Sequence, residues 1–520
     1  MCGILFAKSN RITKNEFINS LKIIKYRGPD APLCFFQHND FMLGHNRLSI
    51  MDLDSRANQP FFSDDQRYVM IYNGEVYNYK ELASQYMIEM KTSSDTELIL
   101  KLYLKIGSSM LNKLNGMFSL IILDTLTNEY FIARDRLGIK PLYYVQQNNE
   151  LIISSEVAPL LKFTSANLDE TAIRQYKKMR NFFNNRTIYK NILEFPPAHF
   201  SCNGKISKYW SNNYSEKAPP SDEELKYLIE SAVNYRKISD VSVGSYLSGG
   251  LDSTIVTALA NVNHTWTIGF ANENEFKWSK IAADKFGTEH HCISINREEF
   301  LETARKLITE RKELLTVPNE VLIYFMTLQA KSENSVILSG EGADELFFGY
   351  DRIFKWAAAT THWDIKGFND FYSYGSHDDI EIIEDAINPY LEHQKPISIV
   401  ASFFQEAHLR GLLRRLDNST MMCSVEARSP FLDFRLVERL SGVSIEYKME
   451  NQVVKAPLKR IFKDLLPVEV IERKKIGFPV PLTDIFAGQK AHSVSYDSWF
   501  DFNWLCWRET YDYWLYFWSI

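Results

Sequence analysis

Two rhythms of apolar residues divide the chain. Up to about residue 195, short apolar runs recur between turn-forming residues, among them YVMIYNG (68–74), FSLIILD (118–124) and LIISSE (151–156). They predict a β-rich region with short helices. Around WSNNYSEKAPPSDEEL (210–225) the chain turns polar and contains Pro-Pro, which marks a connection, and Ser221 before Asp-Glu-Glu predicts a helix start. The domain boundary is therefore placed near residue 215. Beyond it the order becomes strand, loop, helix: VSVGSYL, SGGLDST and IVTALAN (241–261), then TWTIGF, a helical FKWSKIAADKF, a strand HHCISI, and SVILSGEGADEL (335–346). This alternation predicts a parallel sheet flanked by helices, with its ligand site beyond the carboxyl ends of the strands. From about residue 400 the pattern is mainly helical. In the last 22 residues Trp504, Trp507, Tyr511, Trp514 and Trp518 recur at helical spacing, so one aromatic face is expected to pack on the core rather than on a membrane.

Composition narrows the function classes. With 520 residues, 45% of them hydrophobic and 24% charged, two globular domains are expected. A net charge of -6 argues against general nucleic-acid binding. Cys2, Cys34, Cys202, Cys292, Cys423 and Cys506 show no CxxC spacing, which fits reduced thiols in a cytoplasmic protein better than a zinc cage or disulfide framework. Neither a secretory leader nor a membrane-spanning run is seen.

SYLSGGLDST (245–254) is the sharpest local signal. A strand ending at Leu247, two glycines, the hydroxyls of Ser248 and Ser253 and an immediate helix can hold a pyrophosphate on backbone N–H groups. It lacks the Gly-Lys-Ser/Thr of the Walker loop; alone, it could equally be a helix cap. A second loop carries Glu341, Asp344 and Glu345. On one parallel sheet, Asp252 and Asp344 would lie at the same edge, where they could share a magnesium ion bound to nucleotide phosphates.

The SGGLDS loop resembles the pyrophosphate motif of the ATP pyrophosphatases. With LSGEGADE, VEARSPFLD and KKIGFPVPL, it resembles the synthetase part of the glutamine-hydrolysing asparagine synthetase family, over nearly the whole chain. The resemblance implies an α/β protein. Residues 1–215 would form an αββα N-terminal-nucleophile glutaminase domain, and residues 216–520 a parallel-sheet ATP-pyrophosphatase domain with a helical C-terminal part. It also gives meaning to the opening MCGI, where Cys2 becomes the N-terminal nucleophile once Met1 is removed, with its own amine as base.

RGPD (27–30), HNRLSIMD, YNGEVYN, SSDTE and ARDRLGIKPLYY resemble the glutaminase pattern in order. Position by position, the resemblance assigns glutamine binding to Arg47, Leu48, Ser49, Ile50, Asn73, Gly74, Glu75 and Asp95. Arg47 takes the α-carboxylate, Glu75 and Asp95 the α-ammonium, and the Asn73 amide with the Gly74 N–H forms the oxyanion hole. Asn-Gly is also a hairpin-turn signal. ATP binding falls to Leu247, Ser248, Gly249, Gly250, Asp252, Ser253, Ile268, Ser339 and Gly340, the metal to Asp252 and Asp344, and catalysis to Cys2, Asn73, Gly74, Glu341 and Lys455. Lys455 neutralises phosphate charge and Glu341 moves a proton.

The implied reaction is ATP- and Mg2+-dependent amidation of a carboxylate through an acyl-AMP. Aspartate leads, another carboxylate such as a sugar acid or biosynthetic intermediate follows, and a non-catalytic relative or a β-lactam-forming synthetase comes last. A homodimer is a family expectation. Phe348 stands where the family has a glycine and Lys459 where it has an arginine, and the usual acceptor-site pattern after RKELLTVPNEVLIYFM is missing. Arg428 could bind the acceptor or pair with a buried acid such as Asp433.

Overall fold

A computed structural model describes residues 2–474, 477–486 and 492–518. Met1, and Lys475 and Ile476 of the KKIGFPVPL motif, lie outside the described residues. Strand Gly3–Lys8 sets the plan of the first part. Its Ile4 and Phe6 face one cluster, shared with Leu43, Val69, Ile71, Ile121 and Ile153, whereas Leu5 and Ala7 face another, shared with Phe17 and Leu21 of helix Lys14–Ile23. Strand Tyr68–Val76 does the same on the other side, with Met70 and Tyr72 packing on Leu98, Ile99 and Leu102 of helix Asp95–Ile106. Because both faces of each strand are buried, these runs read as continuously apolar rather than alternating.

The result is two antiparallel six-stranded sheets face to face between helices. One runs Leu193–Glu194, Tyr143–Gln147, Glu150–Ser154, Gly3–Lys8, Phe41–Asn46 and Cys34–His38. The other runs Lys205–Lys208, His199–Cys202, Glu129–Arg134, Gly116–Asp124, Tyr68–Val76 and Phe61–Phe62. Asn73 and Gly74 correct the hairpin expectation, because they lie within strand Tyr68–Val76, paired with Ser119 and Phe118. A side chain on Gly74 would meet the Met117 carbonyl oxygen at 2.2 Å, so the glycine serves close strand approach.

Ser221 caps helix Asp222–Arg236 by accepting from the Glu224 N–H at 3.1 Å. The five-stranded parallel sheet that follows has the order Glu289–Ser294, His264–Gly269, Val243–Tyr246, Val336–Leu338 and Glu426–Arg428. Its order reverses between Val243–Tyr246 and Val336–Leu338, the topological switch point at which such sheets bind ligands. SGGLDS leaves the first of these strands and SGEGADE the second. Strand Glu426–Arg428 was not foreseen in the helical stretch.

The rest is helical, ending in helix His492–Trp518. Trp507 is buried and Trp504 half-buried against the core, as the aromatic periodicity predicts, and Trp499 and Phe500, outside that periodicity, are buried with them. The side chains of Tyr511, Trp514 and Trp518 lie outside the described residues. No described helix is long and apolar enough to cross a membrane.

Candidate active sites

A pocket opens at the start of strand Gly3–Lys8. Cys2, Arg47, Leu48, Ile50, Gly74, Glu75 and Asp95 line it, so most of the expected glutamine-binding set converges there. Ser49 does not line it; its N–H donates to Asp30 at 2.8 Å. The Cys2 N–H donates to Asn73 Oδ1 at 3.0 Å, and the amide nitrogen of Asn73 is buried without a protein partner among the described residues. An orphaned buried donor costs about 1–3 kcal/mol, and beside a nucleophile it is what an oxyanion hole requires. Burial pushes the Cys2 thiol up, against the Leu48 N–H and Arg47. Its attack therefore needs a base.

Arg47 was expected to offer its guanidinium to substrate. Its Nη1 donates to the Asp54 carbonyl and Asn58 Oδ1, and its Nη2 to the carbonyls of Met51 and Asp52, so it also holds the 51–58 loop in place. Asp95 opens helix Asp95–Ile106 and accepts from the Tyr72 hydroxyl at 2.7 Å and the Val76 N–H at 2.8 Å. Burial lifts its pKa to about 6. Burial, then Asp95, push Glu75 well above the usual carboxylate range. Two buried carboxyls at one pocket wall, both raised, are poised for a cation.

A third carboxylate there was missed from the sequence. Glu426 lines the pocket from the parallel sheet and pairs with Arg428 Nε at 2.5 Å, while Arg428 Nη2 lies 3.4 Å from Glu75. Arg428 also donates to the carbonyls of Arg236 and Ile238. Asp433, the other partner considered for it, is taken by Arg236 and Arg435. Arg428 is buried and committed to the contact between the two parts, away from an acceptor role. A second buried pairing joins the parts: Arg27 of RGPD donates to the Cys2 carbonyl at 3.2 Å, to Glu156 at 2.8 Å and to Asp417 at 2.8 Å, and Asp417 also accepts from Lys140 at 3.1 Å. Burial opposes the Asp417 charge, yet Arg27 and Lys140 hold its pKa below the usual range.

The second site lies at the switch point. After Leu247, Gly249 takes φ +72°, the Gly250 N–H donates to Ser248 Oγ at 3.2 Å, the Ser248 and Ser253 hydroxyls meet at 3.1 Å, and helix Leu251–Ala260 begins. Gly340 lies against this loop, since a Cβ there would meet the Ser253 N at 2.9 Å. Ser339 and Gly340 are thus brought to the loop, while Ile268 is buried in the neighbouring strand. Lys455 is buried between the two loops and pairs with both Asp252 and Asp344. Burial pulls its pKa down, but the two aspartates raise it above the ordinary value. Two carboxylates converging on one cation are a hard-oxygen donor pair that fits Mg2+.

The other acids of that loop diverge. Glu341 pairs with Arg415, itself bonded to Asn319. Glu345 turns inward to accept from the Tyr350 hydroxyl at 2.7 Å, and burial, then Asp344, lift its pKa to about 8. Phe348 has a left-handed φ of 56°, stacks on Phe354 at 4.0 Å and lies 3.9 Å beneath the buried Lys448 ammonium, whose pKa burial lowers to about 7. Lys459, half-buried, has its pKa lowered by burial and then by Lys455.

Comparison with known proteins finds relatives for both parts of the chain. Residues 1–214 match the glutamine amidotransferase domain family and residues 224–497 the asparagine synthase family. The chain is 34% identical to putative asparagine synthetase [glutamine-hydrolyzing] 2 of Methanocaldococcus jannaschii, over 67% of this chain and 76% of that one. It is 29% identical to asparagine synthetase [glutamine-hydrolyzing] 1 of Bacillus subtilis, over 93% and 87%. It is 27% identical to asparagine synthetase B [glutamine-hydrolyzing] of Escherichia coli, over 92% and 81%.

Removing the charge between Arg27 and Lys140 leaves the buried Lys140 without its carboxylate and Arg27 with Glu156 alone. Asp417→Asn is expected to lower unfolding stability by about 3–5 kcal/mol. In urea titrations, Asp64→Asn, which loosens only the contacts of an exposed carboxylate with Lys91 and Lys101, should leave the midpoint nearly unchanged.

Proposed function

The chain belongs to the glutamine-hydrolysing asparagine synthase family, and from that premise we propose that this ligase amidates L-aspartate to asparagine, with glutamine as ammonia donor and ATP as activator. The observation that carries the coupling is strand Glu426–Arg428. At one end Glu426 lines the Cys2 pocket, and at the other the Arg428 carbonyl accepts from Ser339 of the second acidic loop at 2.8 Å.

In the glutaminase step, loss of Met1 frees the Cys2 amine, which Asn73 Oδ1 orients. The amine removes the thiol proton, which burial otherwise makes hard to lose. Sγ adds to the glutamine amide carbon, the Asn73 amide and the Gly74 N–H receive the negative charge on oxygen, and ammonia departs to leave a thioester. Arg47, Leu48 and Ile50 hold the amino-acid carboxylate end, and Glu75 and Asp95 its ammonium. Water then releases glutamate.

In the synthetase step, the aspartate side-chain carboxylate attacks the α-phosphorus of ATP. Pyrophosphate leaves into the N–H groups and hydroxyls of residues 248–253, with Leu247, Ile268, Ser339 and Gly340 against the nucleoside. Lys455 balances the charge on the phosphates. Mg2+ held by Asp252 and Asp344 would supply further charge neutralisation there. Ammonia crosses the interior and attacks the acyl-AMP carbonyl, Glu341 takes a proton, and AMP leaves. One observation favours a different carboxylate as acceptor: Phe348, a bulky residue beside the acidic loop in place of the family's glycine.

Pyrophosphate release with ATP, Mg2+ and glutamine should depend on L-aspartate, with asparagine in the mass spectrum; glutamate without asparagine would overturn aspartate as acceptor. Cys2→Ala should abolish glutamine-dependent synthesis but retain synthesis from ammonium salts. Lys455→Met should slow pyrophosphate release by about 10²–10³-fold. Because the Asp95 pKa is near 6, and only the carboxylate attracts an ammonium, the KM for glutamine should rise as pH falls through 6. Asp95→Asn should raise KM and flatten that profile.

A further inference from the structure

The opposite edge of the parallel sheet carries donors that neither site uses. Strands His264–Gly269 and Glu289–Ser294 run in parallel with His264 beside Glu289 and Trp266 beside His291. Because side chains alternate along a strand, these four share one face. There, His264 Nδ1 lies 3.3 Å from His291 Nε2. One oxygen of the Glu289 carboxylate, Oε2, is 3.7 Å from the first nitrogen, and the other, Oε1, is 3.8 Å from the second. Among the described residues, this is the one trio of His, Cys, Asp or Glu whose ligand atoms all lie within 4.8 Å of each other.

We propose that His264, His291 and Glu289 bind one first-row transition-metal dication of the zinc class, with Glu333 orienting His264. Ligands about 2.0–2.1 Å from zinc in a tetrahedral site are separated by roughly 3.3–3.4 Å. The two ring nitrogens already have that spacing, and the Glu289 carboxylate lies beside both with one oxygen toward each. Two imidazoles and one carboxylate suit zinc, copper or nickel, whereas calcium and magnesium require more oxygen donors.

The surroundings prepare both rings. Glu333 lies 3.9 Å from His264 Nε2, the nitrogen turned away from the trio, and a shift of about 1 Å would let it accept the Nε2 proton and set the tautomer that ligates through Nδ1. The Trp266 indole stacks on His291 at 3.9 Å and 13°, and its own N–H is anchored to Asn334 Oδ1 at 2.9 Å. The side chains of His264 and His291 are 20% and 27% exposed, so an ion can enter and water can complete its coordination. By contrast His290, on the other face, sits between Thr265 Oγ1 and Ser279 Oγ at 2.9 Å each and has a packing role. The trio sits at the amino ends of the strands, whereas the phosphate loop follows a carboxyl end. Metal here would tie the edge strand to its neighbour.

The test uses the full chain, stripped with chelator and kept in excess Mg2+ so that hard-oxygen sites are filled. Zn2+ is titrated against a chromophoric competitor, and Co2+ is followed by its visible absorption. One equivalent of Zn2+ and a tetrahedral Co2+ spectrum are expected. Both should be lost in the His264→Gln/His291→Gln double variant, whose circular dichroism and glutaminase activity should match the parent. Glu333→Gln should weaken binding by about 10–100-fold at unchanged stoichiometry. Equal zinc affinity in parent and double variant, or no binding by the parent at submillimolar zinc, overturns the site. Unchanged affinity in Glu333→Gln overturns the orienting role.

Discussion

Buried charge between the two parts of the chain is the constraint on which the rest depends. Arg27, Lys140 and Asp417 form one cluster, and Glu75, Arg428 and Glu426 another. Isolated, each of these ions would be costly to remove from water; Asp417 is tolerable because Arg27 and Lys140 come from the other part, and the Glu426–Arg428 pair of the second part reaches across to Glu75 of the first. Burial that disfavours every member alone thereby favours the docked arrangement over any slipped one. Arg27 also holds the Cys2 carbonyl, so the geometry of the first site depends on an acid in the helical region more than 400 positions on.

Both sites sit where regular structure stops. Cys2 precedes a strand with both faces buried, and its partners come from a strand interior and a helix start. The SGGLDS and SGEGADE loops leave adjacent strands at the point where the sheet order reverses, so their aspartates are neighbours despite lying 92 residues apart. At the second site the chemistry lies in short polar loops at the sheet edge, whereas the first draws polar groups from within strands.

Local signals carried much of this. SGGLDST announced its own turn and helix, Ser221 its cap, and the aromatic spacing near the end predicted the burial of Trp507. What could not be read were pairings that tertiary structure makes. Arg428 stands five residues from Asp433 yet pairs with Glu75 from the other part. Asn73-Gly74 has the composition of a turn, but the sheet register places it within a strand, where close approach of Met117 explains the glycine. Glu426 sits in a three-residue strand too short for any periodicity. His264 and His291 are 27 positions apart, and only the strand pairing puts their rings face to face. By contrast, Asp252 and Asp344 were found because two similar loops on one sheet imply one edge.

The three-residue strand has a consequence for how this molecule can change. Glu426 is part of the wall around the thiol, and Arg428 reaches through its carbonyl to the acidic loop, so the first part does not close its own cavity. A recombinant that grafted a foreign amidotransferase region onto this synthetase would inherit Asp417 without Arg27 and Lys140, leaving an unbalanced charge in the interior, and the Glu426–Arg428 pair without Glu75. Compatibility is therefore set by a few residues scattered from 27 to 428 rather than by the polar stretch around residue 215. In such a chain the two activities drift together or not at all, and the seam visible in the sequence is not a place where the molecule can be cut.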